Sequence, residues 1–586
     1  MRSTLSRLVG VVAAVGAAPV AVAATADWAS QSWDAIVVGA GTAGIIVADR
    51  LSEAGYRTLL LEQGGKSYGI VGGTERPDWL EGTNLSRVDV PGLYSTIFSG
   101  HSDLLCTDEQ SSTFAGCTVG GNSAINAGLY FQPPASDWDD YHPPGWHNAD
   151  VQASVAKLLQ RQPALTEYSQ DGQFYLNSGY DEVHRWIVDG AGFANVSFLD
   201  TIDDKYNVFG RPVYNYIDGQ RGGPTRTYLQ TALARRNFRL QTGVHVKYIE
   251  QSAGRATGVV VQLPGGQTRS VKLTNNGRVV LSAGALLSPK ILMYSGIGPS
   301  DALAKLAARS FTPYNNQASW VVQPEVGAGL FDNPNTYIEL SSPSIKSYTY
   351  KYADPDPAER DLYLKSRSGP YSFAGQTSVF WSYMNHSDGT RAGVQGTVGT
   401  AGYSQFTADN TVTLNIYGTS GLLSSGRVEL SDDGKFSAVA SGDVYYSQSR
   451  DADDVAGFIY SLFQHLPPST PTSPATKGLT PLNIAQSSSL EDIKKYITTS
   501  SAYAARPVNH WSSSCRLAKC VDTNTQVIGT QNIHVVDASI LAPMTVNPQF
   551  AVMVAAEHGS ERILAAMNGN GRRGMKRSMQ KRRGRN

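Results

Sequence analysis

The stretch Gly39-Ala-Gly-Thr-Ala-Gly44 decides the fold of this chain. Its G-x-G-x-x-G spacing directly follows residues 33–38 (WDAIVV), a β-branched run that is typical of a buried parallel strand. The next eleven residues, IIVADRLSEAG, carry apolar side chains at helical spacing and end at Gly55. A second apolar run, residues 58–61, completes a strand–turn–helix–strand unit. In this context the motif predicts a dinucleotide-binding fold, whereas the same glycines alone are typical of an ordinary turn.

Each glycine of the motif has its own expected role. Gly39 permits the tight turn, Gly41 lets the backbone approach a pyrophosphate, and Gly44 lets the helix pack closely on the strand. The helix N-terminus at Thr42 then meets the phosphate charge. Glu62 ends the second strand and is expected to accept hydrogen bonds from ribose hydroxyls. The motif alone does not distinguish FAD from NAD.

Length and composition favour a large globular protein. The chain has 586 residues, more than one hydrophobic core usually holds, so two domains are expected. Hydrophobic residues make up 41% and charged residues 17%, which argues against a disordered chain. The formal net charge is zero, so no overall field favours nucleic acid or a membrane surface. We therefore expect neither as a partner.

The N-terminus has the composition of a secretory signal peptide. Arg2 and Arg7 precede an apolar run over residues 8–24, and small residues in A-x-A order follow. Residues 1–26 are therefore predicted to be a signal peptide cleaved near residues 23–26, which makes the mature protein secreted and extracellular. The alternative is a membrane anchor, although the run is short for a span and rich in alanine.

Four cysteines form two local pairs, Cys106 with Cys117 and Cys515 with Cys520. In a secreted chain this spacing favours two short-loop disulfides. A zinc site would need closer cysteine pairs or histidines at ligand spacing, and the sequence has neither. We therefore expect no metal. The sequons that fit a glycosylated surface are Asn84, Asn195 and Asn385.

Four further stretches are informative: residues 116–126, 282–298 and 326–334, and residues 535–539 with Asn547-Pro548. Together they resemble the glucose-methanol-choline (GMC) oxidoreductases, a family of FAD enzymes. Residues 116–126 (GCTVGGNSAIN) resemble the family's glycine-rich loop along the flavin, and residues 282–298 (SAGALLSPKILMYSGIG) match its second motif. Residues 326–334 (VGAGLFDNP) are similar to another recurrent stretch. Residues 535–539 (VVDAS), followed by Asn547-Pro548, resemble the C-terminal flavin and active-site segment.

The resemblance covers most of the chain and implies a bound FAD that accepts a hydride, through flavin N5, from an alcohol. His510 corresponds to the family's catalytic base, and an imidazole suits proton abstraction near neutral pH. Asn547 corresponds to the second active-site position, which holds or orients the substrate oxygen. Asn509 and Trp511, on either side of the histidine, are expected to contact the substrate. Without the resemblance, His510 is equally typical of a hydrogen-bonded loop histidine.

The resemblance also implies how FAD is held. Asp537 is implied to contact the backbone and the ribitol beside the flavin. No histidine stands in or beside residues 116–126, so FAD is expected to be non-covalent. An external acceptor (a quinone, oxygen or a metalloprotein) is expected to reoxidise the flavin, and a dehydrogenase is expected rather than an oxidase. The further cofactor-binding candidates are Gly120, Asn122, Ser123, Asn126, Val246 and Ala538.

Within the family, several stretches resemble the flavodehydrogenase domain of fungal cellobiose dehydrogenases. They include residues 227–238 (TYLQTALARRNF) and residues 509–511 (NHW). Ser382 stands where cellobiose-binding relatives have an arginine, and Asn177 where they have a glutamate. Both departures remove charged groups, so the expected substrate is a sugar or another small hydroxylated molecule, with Ser382 and Asn177 as candidate contacts.

The predicted fold class is α/β, with α+β character overall. Similar apolar strands near residues 35, 280 and 535 indicate a Rossmann-type FAD-binding domain that is discontinuous in sequence. Runs such as TYIEL, SVFWSY and TVTLNIY predict a substrate domain with a mostly antiparallel sheet and helices. The predicted segments are the FAD-binding domain at 33–150, 221–334 and 506–568, the last with the active-site segment, and the substrate domain at 151–220 and 335–505.

Residues 569–586 form a basic tail that is predicted to be disordered. It holds eight Lys or Arg residues and almost no apolar ones. Binding to nucleic acid or to an anionic surface is one role for such a tail. A solvated extension or a dibasic processing site is the other.

Two other functions stay open. A biosynthetic GMC oxidoreductase acting on a secondary-metabolite alcohol would share the fold, and Ser382 and Asn177 favour it over a sugar enzyme. A flavin-bound lyase or cyclase would use FAD as a structural group only. Bleaching of the flavin by substrate under anaerobic conditions distinguishes an oxidoreductase from this last class.

Overall fold

The computed structural model describes residues 28–98, 103–107, 111, 114–430, 438–441, 444–466 and 478–583, with the backbone alone for 438–441 and 569–583. The predicted signal peptide, 1–26, lies outside the described residues. In chain order the strands are β1 (Ser32–Val38), β2 (Thr58–Leu61), β3 (Ala194–Asn195), β4 (Val208–Gly210), β5 (Tyr216–Ile217), β6 (Gln220–Arg221), β7 (Phe238–Gln241), β8 (His245–Ser252), β9 (Arg255–Gln262), β10 (Thr268–Leu281), β11 (Ile297–Gly298), β12 (Val321–Val322), β13 (Ala328–Leu330), β14 (Pro334–Ser341), β15 (Ser378–Asn385), β16 (Arg391–Val398), β17 (Thr411–Gly418), β18 (Gly426–Leu430), β19 (Ala438–Ser441), β20 (Thr480–Pro481), β21 (Ala504–Pro507) and β22 (Ile533–Val535). The α-helices are α1 (Thr42–Glu53), α2 (Asn122–Ile125), α3 (Ala135–Tyr141), α4 (Asn148–Arg161), α5 (Ser178–His184), α6 (Tyr228–Leu233), α7 (Gly284–Tyr294), α8 (Ser300–Ala308), α9 (Pro357–Ser366), α10 (Ser449–Gln464), α11 (Leu490–Thr498) and α12 (Gln549–Arg583).

The dinucleotide motif follows the central strand of a parallel sheet whose strand order is β7-β2-β1-β10-β22. Ile36 of β1 lies opposite Leu59 of β2 on one side and Val279 of β10 on the other. All three side chains are fully buried, as expected for a parallel sheet covered on both faces. The strands near residues 35, 280 and 535 are thus neighbours, which confirms the predicted discontinuous Rossmann-type domain.

Strand β10 is long because it belongs to two ladders. Its first part, residues 268–272, pairs antiparallel with β9, which pairs in turn with β8. Its last part, residues 278–281, pairs parallel with β1. Val246 of β8 belongs to this antiparallel part and lies on the same side of the sheet as the glycine motif of residues 39–44.

Helices cover the parallel sheet and complete its core. Helix α1 packs on β1 and β2 and against α6 and α12, and α12 also packs against α4. Ile45 and Ile46 of α1 and Val554 of α12 are completely buried in this core. Helix α7 packs on β8.

The second sheet has the order β20-β14-β17-β16-β15-β4-β3, with β21 also beside β14. Every pairing in it is antiparallel except that between β3 and β4. This confirms the predicted mostly antiparallel sheet. Because side chains alternate between faces along a strand, each long strand of this sheet presents two different surfaces.

One face of the second sheet forms a separate hydrophobic core. Ile338, Leu414 and Val398 lie opposite one another on β14, β17 and β16, and all are buried together with residues of α5, α10 and α11. The neighbouring residues on the same strands, such as Tyr337 and Asn415, therefore face the opposite way. That opposite face forms one wall of the candidate site.

Two segments differ from the predicted organisation. Residues 151–161 were predicted to begin the substrate domain, but they lie in α4. Because α4 packs against α12, its Val151 and Leu158 belong to the hydrophobic core of the parallel sheet. The backbone of residues 569–583, predicted to be disordered, continues α12 as a helix to Arg583. Arginine, lysine, glutamine and methionine, which are favourable helix residues, make up most of residues 575–583. Residues 584–586 lie outside the described residues.

Two expectations concern the surface of the protein, namely that it does not insert into a membrane and that it is glycosylated. Within the described ranges, none of the helices has the length and apolar character needed to cross a membrane. The three sequon asparagines, Asn84, Asn195 and Asn385, are exposed. Their glycosylation stays a prediction.

Candidate active site

The glycine motif forms a turn with no room for a side chain at Gly39 or Gly44. Gly39 has φ = 100°, and a Cβ atom built on it would lie 2.5 Å from the carbonyl oxygen of Ser282. A Cβ atom on Gly44 would lie 1.9 Å from the carbonyl oxygen of Gly39, so this glycine lets α1 approach β1. At Gly41 the nearest atom to such a Cβ is 3.7 Å away, on Gly121. Gly41 thus presents open backbone to the adjoining space, as pyrophosphate binding requires.

Glu62 holds the same turn from the end of β2. Its buried carboxylate accepts hydrogen bonds from the backbone N–H of Ala40 at 2.8 Å and of Gly64 at 2.9 Å. Burial raises the pKa of Glu62 to about 7, although these N–H groups oppose the rise. The carboxylate lines the cavity described below, where it is placed to accept further hydrogen bonds.

The loop over residues 116–126 lies directly against the glycine turn. Gly120 donates its backbone N–H to the carbonyl of Ala40 at 2.7 Å, and the hydroxyl of Ser123 donates to the carbonyl of Gly120 at 2.6 Å. The side-chain oxygen of Asn122 accepts the N–H of Gly116 at 2.7 Å. Asn126 bonds through its amide to Gln549, at the start of α12. The loop therefore links the turn to the C-terminal segment.

Asp537 organises the segment that leaves β22. One carboxylate oxygen accepts from the N–H of Gly284 at 2.9 Å and the hydroxyl of Ser288 at 2.6 Å. The other accepts from the N–H and the hydroxyl of Ser539 at 2.9 and 2.5 Å. Burial raises the pKa of Asp537, and these bonds oppose the rise. The carboxylate thus positions the backbone at Ala538, which lines the cavity.

A cavity of about 890 Å³ lies between the two sheets and brings most of the predicted site residues together. Gly44 and Gly120 do not line it, because they support the two loops from behind. The predicted residues that do line it are Gly39, Gly41, Thr42, Glu62, Asn122, Ser123, Asn126, Val246, Asn509, His510, Trp511, Asp537, Ala538 and Asn547.

The hydrogen bonds of His510 fix which ring nitrogen carries the proton. Nδ1 lies 2.9 Å from Oδ1 of Asn333, and Nδ2 of Asn333 donates to the carbonyl of Gly418 at 2.7 Å. Because the amide oxygen can only accept, Nδ1 of the neutral ring carries the proton and Nε2 holds the lone pair. Burial lowers the pKa of His510 to about 4, so the ring is neutral at ordinary pH. His510 therefore offers Nε2 as a base.

Asn547 lies beside that nitrogen with its amide oriented in the opposite sense. Its Oδ1 accepts from Nε2 of Gln395 at 2.8 Å. Its Nδ2 lies 3.2 Å from the hydroxyl of Tyr417 and 3.5 Å from Nε2 of His510. A donor and a base thus lie next to each other at the cavity wall, the pair of groups that an alcohol oxygen needs.

A buried carboxylate holds the loop that carries the histidine. Asp332 accepts the backbone N–H of His510 at 2.7 Å and of Asn509 at 3.2 Å, and also the hydroxyl of Tyr445 at 2.7 Å. Burial raises the pKa of Asp332 to about 6, and these three donors oppose the rise. Asn509 has φ = 67° and accepts from the indole N–H of Trp511 at 3.3 Å. The loop is thus held by its backbone.

Both predicted disulfides are confirmed. Cys106 and Cys117 are bonded, with Cα atoms 4.7 Å apart, and Cys515 and Cys520 are bonded, with Cα atoms 4.8 Å apart. The second bridge closes the chain just after His510. In the part of the chain that the structure describes, no cluster of His, Cys, Asp and Glu side chains could hold a metal ion.

Ser382 and Asn177, predicted to contact the substrate, do not line the cavity. The hydroxyl of Ser382 donates to Oδ1 of Asn207 at 2.6 Å. The amide of Asn177 donates to the carbonyl of Phe174 and accepts from Arg211 at 3.1 Å. Both side chains bond to protein groups outside the cavity, so neither supports a choice between a sugar and a secondary metabolite.

A family model described as GMC oxidoreductase matches residues 33–335 with its N-terminal part and residues 423–556 with its C-terminal part. The chain belongs to the GMC oxidoreductase family. It is accordingly an oxidoreductase and a flavoprotein.

Sequence relatives of this GMC oxidoreductase include oxygen-dependent choline dehydrogenases. The one from Rhizobium etli (strain CIAT 652) is 28% identical over 337 residues, which are 54% of this chain and 56% of the relative. The one from Vibrio vulnificus (strain YJ016) is 30% identical over 321 residues, which are 53% and 54%. The chain thus matches about half the length of these relatives.

Solved structures share the fold of this GMC oxidoreductase over nearly the whole chain. Formate oxidase has a TM-score of 0.71 at 16% identity and covers 92% of this chain and 98% of its own. A fungal aryl-alcohol oxidase has a TM-score of 0.66 at 17% identity and covers 91% and 99%. At such identities the likeness establishes the fold alone.

Sequence reasoning missed several residues of the site. Asp332 and Asn333 lie in residues 326–334, a stretch that resembles the family. Nothing in that stretch indicates that these two residues contact the loop that carries His510. Gln395 and Tyr417 carry no local signal, because they reach Asn547 from separate strands of the second sheet.

Proposed function

We propose that this GMC oxidoreductase binds FAD non-covalently and oxidises the CH–OH group of a sugar or another small hydroxylated molecule. The observation that carries the proposal is that the dinucleotide motif and the His510–Asn547 pair line the same cavity. A cavity of about 890 Å³ lies in the size range of ligand pockets. A nucleotide at one end and an alcohol at the other would account for both groups of residues.

The residues present fit FAD. The backbone at Gly39 and Gly41 forms a cradle, which a Cβ atom added to either residue would narrow. The N-terminus of α1 faces this cradle. Glu62 is placed for ribose hydroxyls, and Asp537 fixes the backbone at Ala538. Among the residues that the structure describes, no histidine close to residues 116–126 lines the cavity, which supports non-covalent binding. When bound, FAD supplies the hydride acceptor.

His510 and Asn547 would handle the substrate oxygen. Asn547 donates a hydrogen bond from Nδ2 and so orients the hydroxyl, while Nε2 of His510 accepts its proton. Asn333 keeps the lone pair on Nε2 by accepting from Nδ1. Gln395 keeps the amide of Asn547 in the donating orientation.

The cavity wall supports a hydroxylated substrate. The second sheet contributes Asn335, Asn415 and Thr397 to the lining, and Gln376, which lies just before β15, is a fourth neutral, hydrogen-bonding residue there. The curated relatives include choline dehydrogenases, which supports an alcohol as the substrate class.

An anaerobic titration tests the function. The purified protein should be yellow and should release FAD on acid or heat treatment. Sugars, aromatic alcohols and polyketide alcohols are then added in turn while the flavin spectrum is recorded. Bleaching of the flavin by any of these alcohols supports the oxidoreductase. A colourless protein that cannot be reconstituted with FAD contradicts the proposal, and so does a flavin that no alcohol bleaches, which favours the lyase or cyclase class.

We further propose that the enzyme is a dehydrogenase, which passes electrons to a quinone or a metalloprotein rather than to oxygen. The resemblance to cellobiose dehydrogenases supports this choice. Reoxidation of the reduced flavin should be faster with a quinone than with air-saturated buffer. Faster reoxidation by oxygen identifies an oxidase.

We also propose that the protein is secreted. The composition of residues 1–26 and the two disulfides support secretion. The N-terminal sequence of protein recovered from the culture medium should begin near residues 23–27. Retention of the full chain inside the cell contradicts it.

A further inference from the structure

A row of side chains crosses four strands on the cavity face of the second sheet. Asn335 of β14 lies opposite Arg506 of β21 on one side and Tyr417 of β17 on the other, and Tyr417 lies opposite Gln395 of β16. Directly opposed residues in a sheet point to the same face. Arg506, Asn335, Tyr417 and Gln395 therefore form one row, which we name the cavity row.

One end of the cavity row contacts the catalytic pair. Gln395 and Tyr417 both hydrogen-bond to Asn547. Since neighbouring strands lie about 4.8 Å apart, Arg506 stands about 10 Å along the row from Tyr417. The other end of the row is therefore within the reach of a small molecule whose hydroxyl lies at Asn547.

Arg506 lines the cavity, and none of the acidic side chains that the structure describes forms an ion pair with it. The residue is half-buried and lines the cavity together with Tyr337. Burial raises the pKa of Tyr337 and the charge of Arg506 opposes the rise, which places the guanidinium near that phenol. Among the described residues, Arg506 makes no side-chain hydrogen bond and no ion pair. A half-buried cation of this kind favours an anion in the adjoining space.

The carboxylates of the cavity do not serve this purpose. Glu62 and Asp537 line it but are engaged with backbone N–H groups of the cofactor-side loops. Asp332 is turned toward the backbone of the histidine loop. Glu339, whose charge also acts on Tyr337, is bonded to other protein donors, so none of the described carboxylates forms an ion pair with Arg506. A planar guanidinium matches a carboxylate with two parallel hydrogen bonds.

Free hydrogen-bond acceptors accompany the arginine. The amide oxygens of Asn335, Asn415 and Gln376 accept no hydrogen bond from the part of the chain that the structure describes. All three residues line the cavity. Buried acceptors without a partner are costly, so a ligand that donates O–H groups would satisfy them.

We propose that the substrate is a hydroxy acid, in which one hydroxyl lies at His510 and Asn547 while a carboxylate binds Arg506. Further hydroxyls between them would donate to the amide oxygens, so an open-chain sugar acid is the class that fits best. The inference rests on the proposed function, since it names the substrate of the same site. The carboxylate serves binding and takes no part in the oxidation.

Two matched pairs of compounds test the inference on the FAD-loaded protein. Gluconate and glucitol share a carbon skeleton but differ in charge, and 6-hydroxyhexanoate and 1,6-hexanediol form an aliphatic pair. Affinity is measured from the perturbation of the oxidised flavin spectrum, and the rate of flavin reduction is measured separately under anaerobic conditions. The wild type should bind each carboxylate about tenfold or more tightly than its neutral partner, as expected for a desolvated charge pair.

Variants of Arg506 separate recognition from folding. Arg506→Gln should remove the preference for the carboxylates by weakening their binding about tenfold, while the affinity for the neutral partners and the limiting rate of flavin reduction change little. Arg506→Lys should restore part of the preference, since it keeps the charge but not the planar fork. Arg239→Gln removes the same charge from an exposed position on β7 and should leave both pairs unaffected.

Three outcomes overturn the inference. The first is equal binding of the charged and neutral partners by the wild type. The second is an equal loss for both partners in Arg506→Gln, which indicates a structural role. The third is tighter binding of choline, a cation, than of the carboxylates. None of these outcomes contradicts the proposed function if some alcohol reduces the flavin. If no alcohol reduces the flavin, the proposed function is refuted, whatever the binding data show.

Discussion

At His510, burial and one amide neighbour decide what the ring can do. Asn333 fixes the proton on Nδ1, and burial lowers the ring pKa to about 4 because the charged form is the one that burial disfavours. The neutral base is thus present above that pKa. In a variant that lacks the carboxyl group of Asp332, the rate of flavin reduction should stay flat from about pH 8 down to about pH 5 and fall only below, as the ring takes up a proton.

The control for this pH profile is the carboxyl that holds the same loop. Burial raises the pKa of Asp332 to about 6, so its protonation adds a step that belongs to the loop and not to the base. Asp332→Asn removes that step. If the variant still loses activity with a midpoint near the ordinary histidine value of about 6.5, the lowered pKa of His510 is wrong.

Asn547 is expected to matter less than the base. Asn547→Ala removes one hydrogen bond to the substrate oxygen and should slow flavin reduction about tenfold, with FAD retained. Ser382→Ala is the matched control, because Ser382 bonds to Asn207 outside the cavity and should leave the rate unchanged. A larger effect at Ser382 than at Asn547 contradicts the placement of the site.

The residues that could be predicted from sequence are those that lie inside a local motif. Gly39, Glu62, His510 and Asn547 each belong to such a stretch, and the structure brings them to one cavity. Gln395, Tyr417 and Arg506 could not be found, because their meeting depends on the register of separate strands, which no single stretch encodes. Ser382 was misplaced for the same reason.

At the scale of elements, the β1–α1 turn depends on close packing of backbone on backbone. Gly44→Ala would place Cβ at 1.9 Å from the carbonyl oxygen of Gly39, so α1 must move away from β1. We expect loss of FAD binding, measured by the flavin-to-protein absorbance ratio of purified protein. Gly65→Ala is the control, because nothing lies within 4 Å of its added Cβ atom. Equal FAD content in both variants contradicts this role of Gly44.

The disulfides brace loops of different length. If chain entropy governs these bridges, replacing Cys515 and Cys520 by serine should lower the free energy of unfolding by about 2 kcal/mol. The same replacement of Cys106 and Cys117 should lower it by about 3 kcal/mol, because the loop between them is longer. Chemical denaturation of the two double variants measures both values. A larger loss for the shorter loop would show that chain entropy does not govern these bridges.

At the scale of the whole molecule, sequence predicted the architecture better than its boundaries. The parallel strands near residues 35, 280 and 535 were identifiable as one sheet because continuous apolar runs mark strands buried on both faces. The predicted boundaries were wrong at α4 and at residues 569–583. Helix packing decides the position of α4, and helix propensity decides the structure of residues 569–583, rather than a change in composition. The active site forms where the two domains face each other across the cavity.

The role of His510 as the base is tested by anaerobic stopped-flow reduction of FAD-loaded wild type and His510→Ala by the same alcohol. The variant should keep FAD, because the residues that we propose to hold the cofactor, Gly39, Glu62 and Asp537, belong to other elements. Its flavin reduction should be slower by about a hundredfold to ten-thousandfold, as is typical for a lost general base. Reduction of the variant's flavin at the wild-type rate would mean that the base lies elsewhere, and would contradict the central claim.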